Sequence, residues 1–458
     1  SVQGDSFRFG QIVAHRILQR LGVRSNEPGA SDAGYAKPQP ARFRFVDEPS
    51  NPIRRRQIDP KAEPNTNPSM KSVRDYHGPF YGKDTTPRFS VSKNFLLADP
   101  PLDRNAGEKA EYLAALEEVK RRGGSPDINS TTRTADQTVA ALFWAYDGAK
   151  LIGTPPRLYN QVLRRVAWLQ RKPNDIEDTK NVEEGVRLFA LANVAMADAG
   201  TLAWSEKYAH NYWRPLTGVR EHGDGVGGTP PYGLAAGGAQ TVGTVGDPFW
   251  EALGAPSTNT SDLSFKPPFP AYPSGHATFG AAAFQIARLH YNWRDGGLPG
   301  KRKPDRIAFD FVSDELNGVS RDLIDEYVAE RPIEGQRGLV RTRVVRRFDS
   351  LWHAIYENAA SRVYLGVHWR FDAFAAKDAI HPTKKGVDGL PLHRDAADID
   401  YATQGTRSDG QPSVGIGGVP LGLAIADDIF DNAMSQSRIV PPDPTAPFRV
   451  NLQSTNIR

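Results

Sequence analysis

The chain has 458 residues, enough for two or three ordinary domains or one large unit with a substantial core. Its 57 basic and 53 acidic residues leave a formal net charge of +4, too small an excess for a polybasic surface, so no nucleic-acid partner is expected. Cysteine is absent, which excludes disulfides, thiolate metal sites and cysteine nucleophiles and leaves the redox compartment open.

In chain order, Phe9, Ile12, Val13, Ile17 and Leu21 fall at helical spacing. Residues 1–24 are expected to form a helix continuing an N-terminal region of a longer precursor, because the chain opens at Ser1 without methionine or visible signal peptide. Residues 25–101 are dense in proline, asparagine and charge without a sustained period, and read as an irregular wrapping segment. Its aromatic stretch "DYHGPFYGKDTTPRF" carries more apolar surface than a linker needs, so part of it should pack on the rest. From 102 to 434 the pattern is helical, with helices expected over 108–122, 134–152, 156–170, 182–213, 278–291, 340–364, 369–379 and 421–432. The 182–213 helix is apolar on most faces and should be central, ended by Pro215. Strand signals are scarce, no repeat is found, and a Gly-rich loop at 221–246 separates two helical blocks. A tail follows from 435 to 458. No run reaches the roughly 18–20 consecutive apolar residues of a membrane span, the nearest being the broken stretch Val414–Ala426, so no membrane partner is expected.

Three short segments carry the chemistry. In "EKYAHNYWRP", Lys207 and Arg214 are seven residues apart, which on one continuous helix of about 3.6 residues per turn places both on one face. Two cations on a buried face need an anion; on spacing alone, a pair of snorkelling surface cations is the better reading. In "PFPAYPSGHATFG", an extended segment stops at Pro273 and Ser274, and Gly275 and His276 open an apolar helix. A helix N-terminus offers free N–H groups to an anion, glycine permits close approach, and His276 stands by as a proton donor or acceptor. A plain Ser274 cap with an exposed histidine is the bland alternative. In "ENAASRVYLGVHWRFDAF", Arg362 precedes His368 by six residues with Gly366 between, so a turn must bring them together if they serve one ligand. Asp372 follows His368 by four, close enough for its carboxylate to fix the imidazole tautomer, although such a pair is more often a surface ion pair.

Taken in order, Lys-x6-Arg-Pro, Pro-Ser-Gly-His and Ser-Arg-x5-His-x3-Asp resemble the signature shared by vanadium haloperoxidases and the type 2 phosphatidic acid phosphatase superfamily. Stretches such as "WAYDGAKLIGTPPRLYNQ", "GAPSTNTSDLSFKPPFPAYPSGHATFGAAAFQ" and "IGGVPLGLAIADDIFDN" extend the resemblance to the fungal vanadium chloroperoxidases over nearly the whole chain. That resemblance implies an all-α fold with two four-helix bundles and long irregular wrapping segments. It implies a vanadate cofactor and no haem, with the oxygens of vanadate held by Lys207, Arg214, Ser274, Gly275 and Arg362. His368 would be the single protein ligand to vanadium, with His276 as the acid–base residue opposite it and Lys207 aiding catalysis. Asp147 of "WAYDG" matches an aspartate paired with the anion-binding arginine, here Arg362, and Trp204 and Phe269 match residues lining the halide side. Related bromoperoxidases tend to carry histidine where Phe269 stands, so the sequence resembles the chloride-competent branch.

The implied reaction takes hydrogen peroxide and chloride or bromide to hypohalous acid, which halogenates small organic acceptors. Such an enzyme is expected outside the cytoplasm, secreted or periplasmic, because hypohalous acid damages cell components. Two features depart from the family: the Gly-rich loop is long, and the N-terminal helical region is expected to be absent from this chain, either as a separate cleaved chain or beyond its start. A homo-oligomer is left open as well. The alternative is a soluble acid phosphatase, with phosphate in the same nest, a phosphohistidine at His368 and leaving-group protonation by His276. The apolar Trp204 and Phe269 suit a tight halide pocket better than a phosphoester. A non-catalytic anion-binding scaffold would lack one of the two histidines, and both are present.

Overall fold

The computed structural model describes residues 95–101, 106–171, 179–221, 247–297, 305–375 and 407–436, apart from short gaps at 128, 248, 262–263 and 265, together with short pieces nearer the N-terminus. The expected 1–24 helix, most of the Gly-rich loop and the 437–458 tail lie outside the described residues.

The described elements are mostly helical: α1 (Ala106–Arg122), α2 (Ala135–Phe143), α3 (Pro155–Leu169), α4 (Thr179–His210), α5 (Pro215–Glu221), α6 (Gly275–Arg294), α7 (Leu351–Tyr364) and α8 (Gly418–Gln436). Helix α6 is the axis of the bundle, with α3, α4, α7 and α8 packed around it. Its "GAAAFQIA" face of small residues admits the neighbours closely, and its residues from Gly275 to Ala287 are buried except for Phe279. The approach to α8 is close: a Cβ added to Gly422 would stand 2.4 Å from the Thr278 carbonyl oxygen. One such bundle is formed among the described residues; the second bundle expected from the resemblance is not described.

Side-chain caps mark several helix starts. Thr134 and Gln137 form a reciprocal capping box at α2, Ser274 caps α6, and Ser350 Oγ accepts from His353 N at 3.0 Å to open α7. Several expected boundaries need correction. The 134–152 helix stops at Phe143, and the chain turns through Tyr146, Gly148, Leu151 and Gly153, all at positive φ. The 182–213 helix ends at His210, where Asn211 adopts φ 48 and closes the turn. Pro215 therefore begins α5 instead of ending α4, as suits a residue with no N–H to lose at a helix start. The 340–364 helix is confined to 351–364, and the 369–379 helix is a single 3-10 turn over Arg370–Asp372, with 376–406 outside the described residues.

Strands are few and short. The ribbon β3 (Phe309–Phe311) with β6 (Arg346–Phe348) and the ribbon β4 (Arg321–Leu323) with β5 (Gly338–Val340) occupy the stretch before α7. A further pair, β1 (Ser31–Asp32) with β2 (Tyr76–His77), lies in the irregular segment. Phe348 is fully buried against Phe143, Trp144 and Phe309, so the first ribbon seals the end of α2.

The described parts of the irregular segment pack on the bundle. Leu97 and Ala98 are fully buried, Leu97 N donates to Glu206 at 3.0 Å, and the Tyr272 hydroxyl donates to the Ala98 carbonyl at 2.6 Å. Gly82 lies directly on the α4 backbone at Thr201 and Ser205. By length and composition, 182–210 of α4 could cross a membrane, whereas the sequence had pointed to 414–426 as the nearest candidate. In the fold α4 packs along α6 and α8, with Ala192, Ala195, Ala199 and Ala203 fully buried, as a core helix of a bundle does.

Candidate active site

Five segments converge at the N-terminus of α6: the 145–147 loop, the end of α4, the 211–214 turn, the 269–276 approach and the 362–372 turn. Lys207 is fully buried near the end of α4, and its ammonium donates to the carbonyls of Pro270 (2.9 Å), Ala271 (3.0 Å) and Pro273. Arg214 is not on the Lys207 helix. The left-handed turn at Asn211 folds the chain back, so the two cations meet by a turn and not along a shared helical face. Arg214 Nε donates to the Phe269 carbonyl (2.9 Å), and its Nη1 donates to the Val367 carbonyl (2.8 Å) and to His368 Nε2 (2.9 Å).

That last contact fixes the His368 tautomer. Guanidinium only donates, so Nε2 carries a lone pair and Nδ1 carries the proton, which goes to Asp372 Oδ2 at 2.7 Å. Asp372 Oδ2 also accepts from Trp369 N at 2.9 Å, while its carbonyl accepts from Ser274 N at 2.7 Å and ties the last motif to the start of α6. Gly366 makes the turn between Arg362 and His368: it has φ 72, and a Cβ there would meet the Gly123 carbonyl at 2.3 Å, so only glycine fits.

Arg362, 1% exposed, pairs through Nη2 with both carboxylate oxygens of Asp147, at 2.9 and 3.2 Å. Its Nε and Nη1 are buried without a hydrogen-bond partner. His276 Nε2 lies 2.6 Å from the Ala145 carbonyl; a carbonyl can only accept, so Nε2 carries the proton and Nδ1 is the basic atom. The His276 backbone carbonyl accepts from Asn358 Nδ2 (2.8 Å) and the Tyr159 hydroxyl (3.0 Å). Ser274 Oγ caps Ala277 N at 3.4 Å, and Gly275 lies against the Trp204 ring, where a Cβ would stand 3.3 Å from it. Trp204 and Phe269 are neighbours, 5.0 Å between centroids, and Phe269 faces both Lys207 (5.1 Å) and Arg214 (4.9 Å). Gly78 of the irregular segment packs against the Trp204 indole.

The electrostatics describe a nest short of negative charge. Burial first, then the charges of Arg214 and Arg362, holds Lys207 well below its ordinary value, against the pull of Asp372. Burial pushes Arg214 down to about 9, with Arg362 adding to it against Asp372. His368 is driven well below its usual range by burial and then by Arg214, Lys207 and Arg362. His276 is pushed down to about 3 by burial and Arg362, so it is neutral at neutral pH. Burial raises Asp372 to about 7 in spite of Lys207 and Arg214. Three cations and two carboxylates, with two guanidinium nitrogens of Arg362 unpartnered, suit a multiply charged oxyanion. Among the described residues, no group of three or more His, Asp or Glu converges to hold a metal cation. A cavity of about 840 Å³, bordered by Trp168, Arg171, His290 and Arg294, lies elsewhere and includes none of these residues.

Every site residue singled out in the sequence thus lies in or against one nest. Sequence reasoning missed the Ala145 carbonyl, Tyr159 and Asn358. Asn358 stands one helical turn before Arg362 in "ENAASR", a spacing that could have revealed it; a backbone carbonyl leaves no such signal.

A family model described as the VCPO second helical-bundle domain matches residues 187–381, and one described as the vanadium chloroperoxidase N-terminal domain matches residues 2–87. A vanadium chloroperoxidase of Curvularia inaequalis is 48% identical over 451 residues, covering 96% of this chain and 69% of that protein. Among solved structures, a bacterial vanadium-dependent iodoperoxidase aligns at 19% identity and TM-score 0.38, over 77% of this chain and 57% of that one. A holo-type bacterial vanadium-dependent chloroperoxidase aligns at 13% identity and TM-score 0.39, over 79% of this chain and 55% of that one. The chain spans little more than half the length of these two structures.

Proposed function

The chain belongs to the vanadium chloroperoxidase family, and from that membership we propose that it is a vanadate-dependent haloperoxidase, using hydrogen peroxide and a proton to oxidise halide to hypohalous acid and water. The observation that carries the reading is the buried nest of Lys207, Arg214 and Arg362 around a histidine whose Nε2 lone pair is held ready by Asp372. When bound, vanadate supplies a Lewis-acidic centre that activates peroxide toward halide.

The protein's own residues supply the rest. Lys207, Arg214 and Arg362, with Ser274 and the α6 N-terminus at Gly275, neutralise and orient the oxyanion. His368 offers Nε2 as the one protein bond to the metal, with the Asp372 carboxylate raising its basicity. Asp147 fixes the Arg362 guanidinium plane from behind. His276, neutral and anchored through Nε2–H to Ala145, can take up and return a proton at Nδ1. Lys207, whose three N–H bonds all go to the Pro270, Ala271 and Pro273 carbonyls, contributes its positive charge to the nest and not a free donor. Trp204 and Phe269 provide the apolar wall that strips water from the halide, and Phe269 supports chloride as well as bromide as substrate. Small organic compounds then consume the hypohalous acid, whose reactivity favours a secreted or periplasmic enzyme.

The test is halogenation of monochlorodimedone by vanadate-free protein with peroxide and chloride or bromide, before and after adding orthovanadate, with phosphate as competitor. Activity that needs vanadate and is suppressed by phosphate is expected. Hydrolysis of p-nitrophenyl phosphate with no halogenation would transfer the site to the acid phosphatase alternative.

A further inference from the structure

Glu315 has no part in the chemistry above, yet it is fully buried. It lies on the short 3-10 turn Asp314–Leu316, far in sequence from every motif. Its Oε1 accepts from Tyr146 N at 3.1 Å. Its Oε2 accepts from the Thr258 hydroxyl and lies 3.5 Å from Arg341 Nη1. Two donors and the charge of Arg341 thus converge on one carboxylate, which offsets the cost of burying it.

Tyr146 is the centre of the loop that serves two site residues. Its φ of 41 is costly for a residue with a side chain, so the loop keeps this shape only if its surroundings hold it. On one side of Tyr146 the Ala145 carbonyl receives the His276 Nε2 proton at 2.6 Å. On the other side the Asp147 carboxylate holds Arg362 Nη2 at 2.9 Å. The far end of the tyrosine is gripped by the same short turn: Asp314 N donates to its hydroxyl at 2.8 Å, and that hydroxyl donates to Gln161 at 3.0 Å. Residues 314 and 315 therefore clamp Tyr146 at both its backbone and its ring.

We propose that Glu315 is a positioning residue: by accepting from Tyr146 N it sets the 145–147 loop, so that one buried carboxylate orients both the acid–base imidazole of His276 and the anion-binding guanidinium of Arg362. The consequence for vanadate rests on the haloperoxidase reading; the consequence for His276 does not. Glu315 touches neither oxyanion nor substrate and acts only through the loop.

The experiment compares Glu315→Ala and Glu315→Gln with the parent in two readouts. The first is the ring tautomer of His276 in vanadate-free protein, read by nitrogen-15 NMR on histidine-labelled chains, and the second is vanadate affinity by equilibrium dialysis. Leu188→Ala, in the core about five helical turns before Lys207 on α4 and beside the separate cavity, serves as a control for general destabilisation. Glu315→Ala is expected to bring the His276 Nε2 proton into fast exchange and to weaken vanadate binding roughly tenfold or more. Glu315→Gln, which keeps an oxygen for Tyr146 N but meets Arg341 with an amide, should fall between, and Leu188→Ala should leave the tautomer and affinity in place. If the alanine variant does not fold, the glutamine variant decides. A folded variant whose His276 signal and affinity stay within twofold of the parent overturns the proposal. A parent that binds no vanadate, with the His276 signal still lost in the variant, overturns the haloperoxidase reading and upholds the positioning role.

Discussion

Replacing Asp372 by asparagine isolates what its negative charge does for His368. The shape is kept, and the amide oxygen can still accept from His368 Nδ1 and Trp369 N, which stand 2.7 and 2.9 Å from Oδ2. What is lost is the difference between a charge-assisted and a neutral hydrogen bond, about 1–1.5 kcal/mol, or roughly tenfold in affinity. That agrees with the roughly 10- to 100-fold cost usual when the partner of a metal-binding histidine is removed. An opposing effect exists: removing a negative charge beside Lys207, Arg214 and Arg362 should strengthen their pull on an anion. We expect the ligand bond to win, because His368 is the only proposed protein bond to the metal while the cations remain in place. Burial raises Asp372 to about 7, so the carboxylate is ionised at pH 8 and largely protonated at pH 6. Vanadate binding measured by equilibrium dialysis should therefore be about tenfold weaker than in the parent at pH 8 and nearly equal to it at pH 6. Equal or tighter binding at pH 8 would refute the role given to the tautomer and show that the summed charge of the nest governs affinity.

Three further outcomes follow from the same structure. His276, His290 and His353 are pushed down to about 3, 4 and 4, each by burial first, so the unfolded chain takes up their protons below about 6.5 while the folded chain does not. Their contribution to stability is present above pH 6.5 and is lost as pH falls toward 4. Burial raises Glu315 and Asp372 to about 7, and these oppose the trend over the same range, but the histidines outnumber them. Thermal unfolding of vanadate-free protein should show a midpoint that drops between pH 6.5 and 4.5, and a flat or rising midpoint contradicts the balance. Gly422→Ala forces a methyl against the Thr278 carbonyl, 2.4 Å from the built Cβ, and should destabilise by about 1–3 kcal/mol in denaturant unfolding; no loss would mean that α8 sits farther from α6. Phe269→His places a polar ring where an apolar one lies 5.1 Å from Lys207 and 4.9 Å from Arg214. The chloride-to-bromide ratio of kcat/KM should fall about tenfold, or about 1.4 kcal/mol in relative barrier, and an unchanged ratio would remove Phe269 from halide selection.

The helical class and the site motifs were legible because they rest on local patterns: periodic apolar residues, a Ser274 cap, a Gly366 turn. Geometry that depends on a backbone reversal was not. Lys207 and Arg214 read as one helical face because nothing in "HNYWRP" except Asn211 announces the left-handed turn that separates them. The same blindness lengthened the 134–152 helix through Tyr146, which has a positive φ and is hydrogen-bonded by Glu315 and Asp314 of a distant segment. The ribbons before α7 were missed because three-residue strands are too short to show alternation. Contacts made by a backbone carbonyl, such as Ala145 with His276, have no side chain to betray them.

The central claim is that this cationic nest holds one vanadate through His368. Its most direct test is the vanadium content of parent and His368→Ala protein after loading and exhaustive dialysis, read by elemental analysis alongside a folded-state check. Close to one vanadium per chain is expected in the parent and almost none in the variant. A folded His368→Ala protein that keeps stoichiometric vanadium and full haloperoxidase turnover would contradict it.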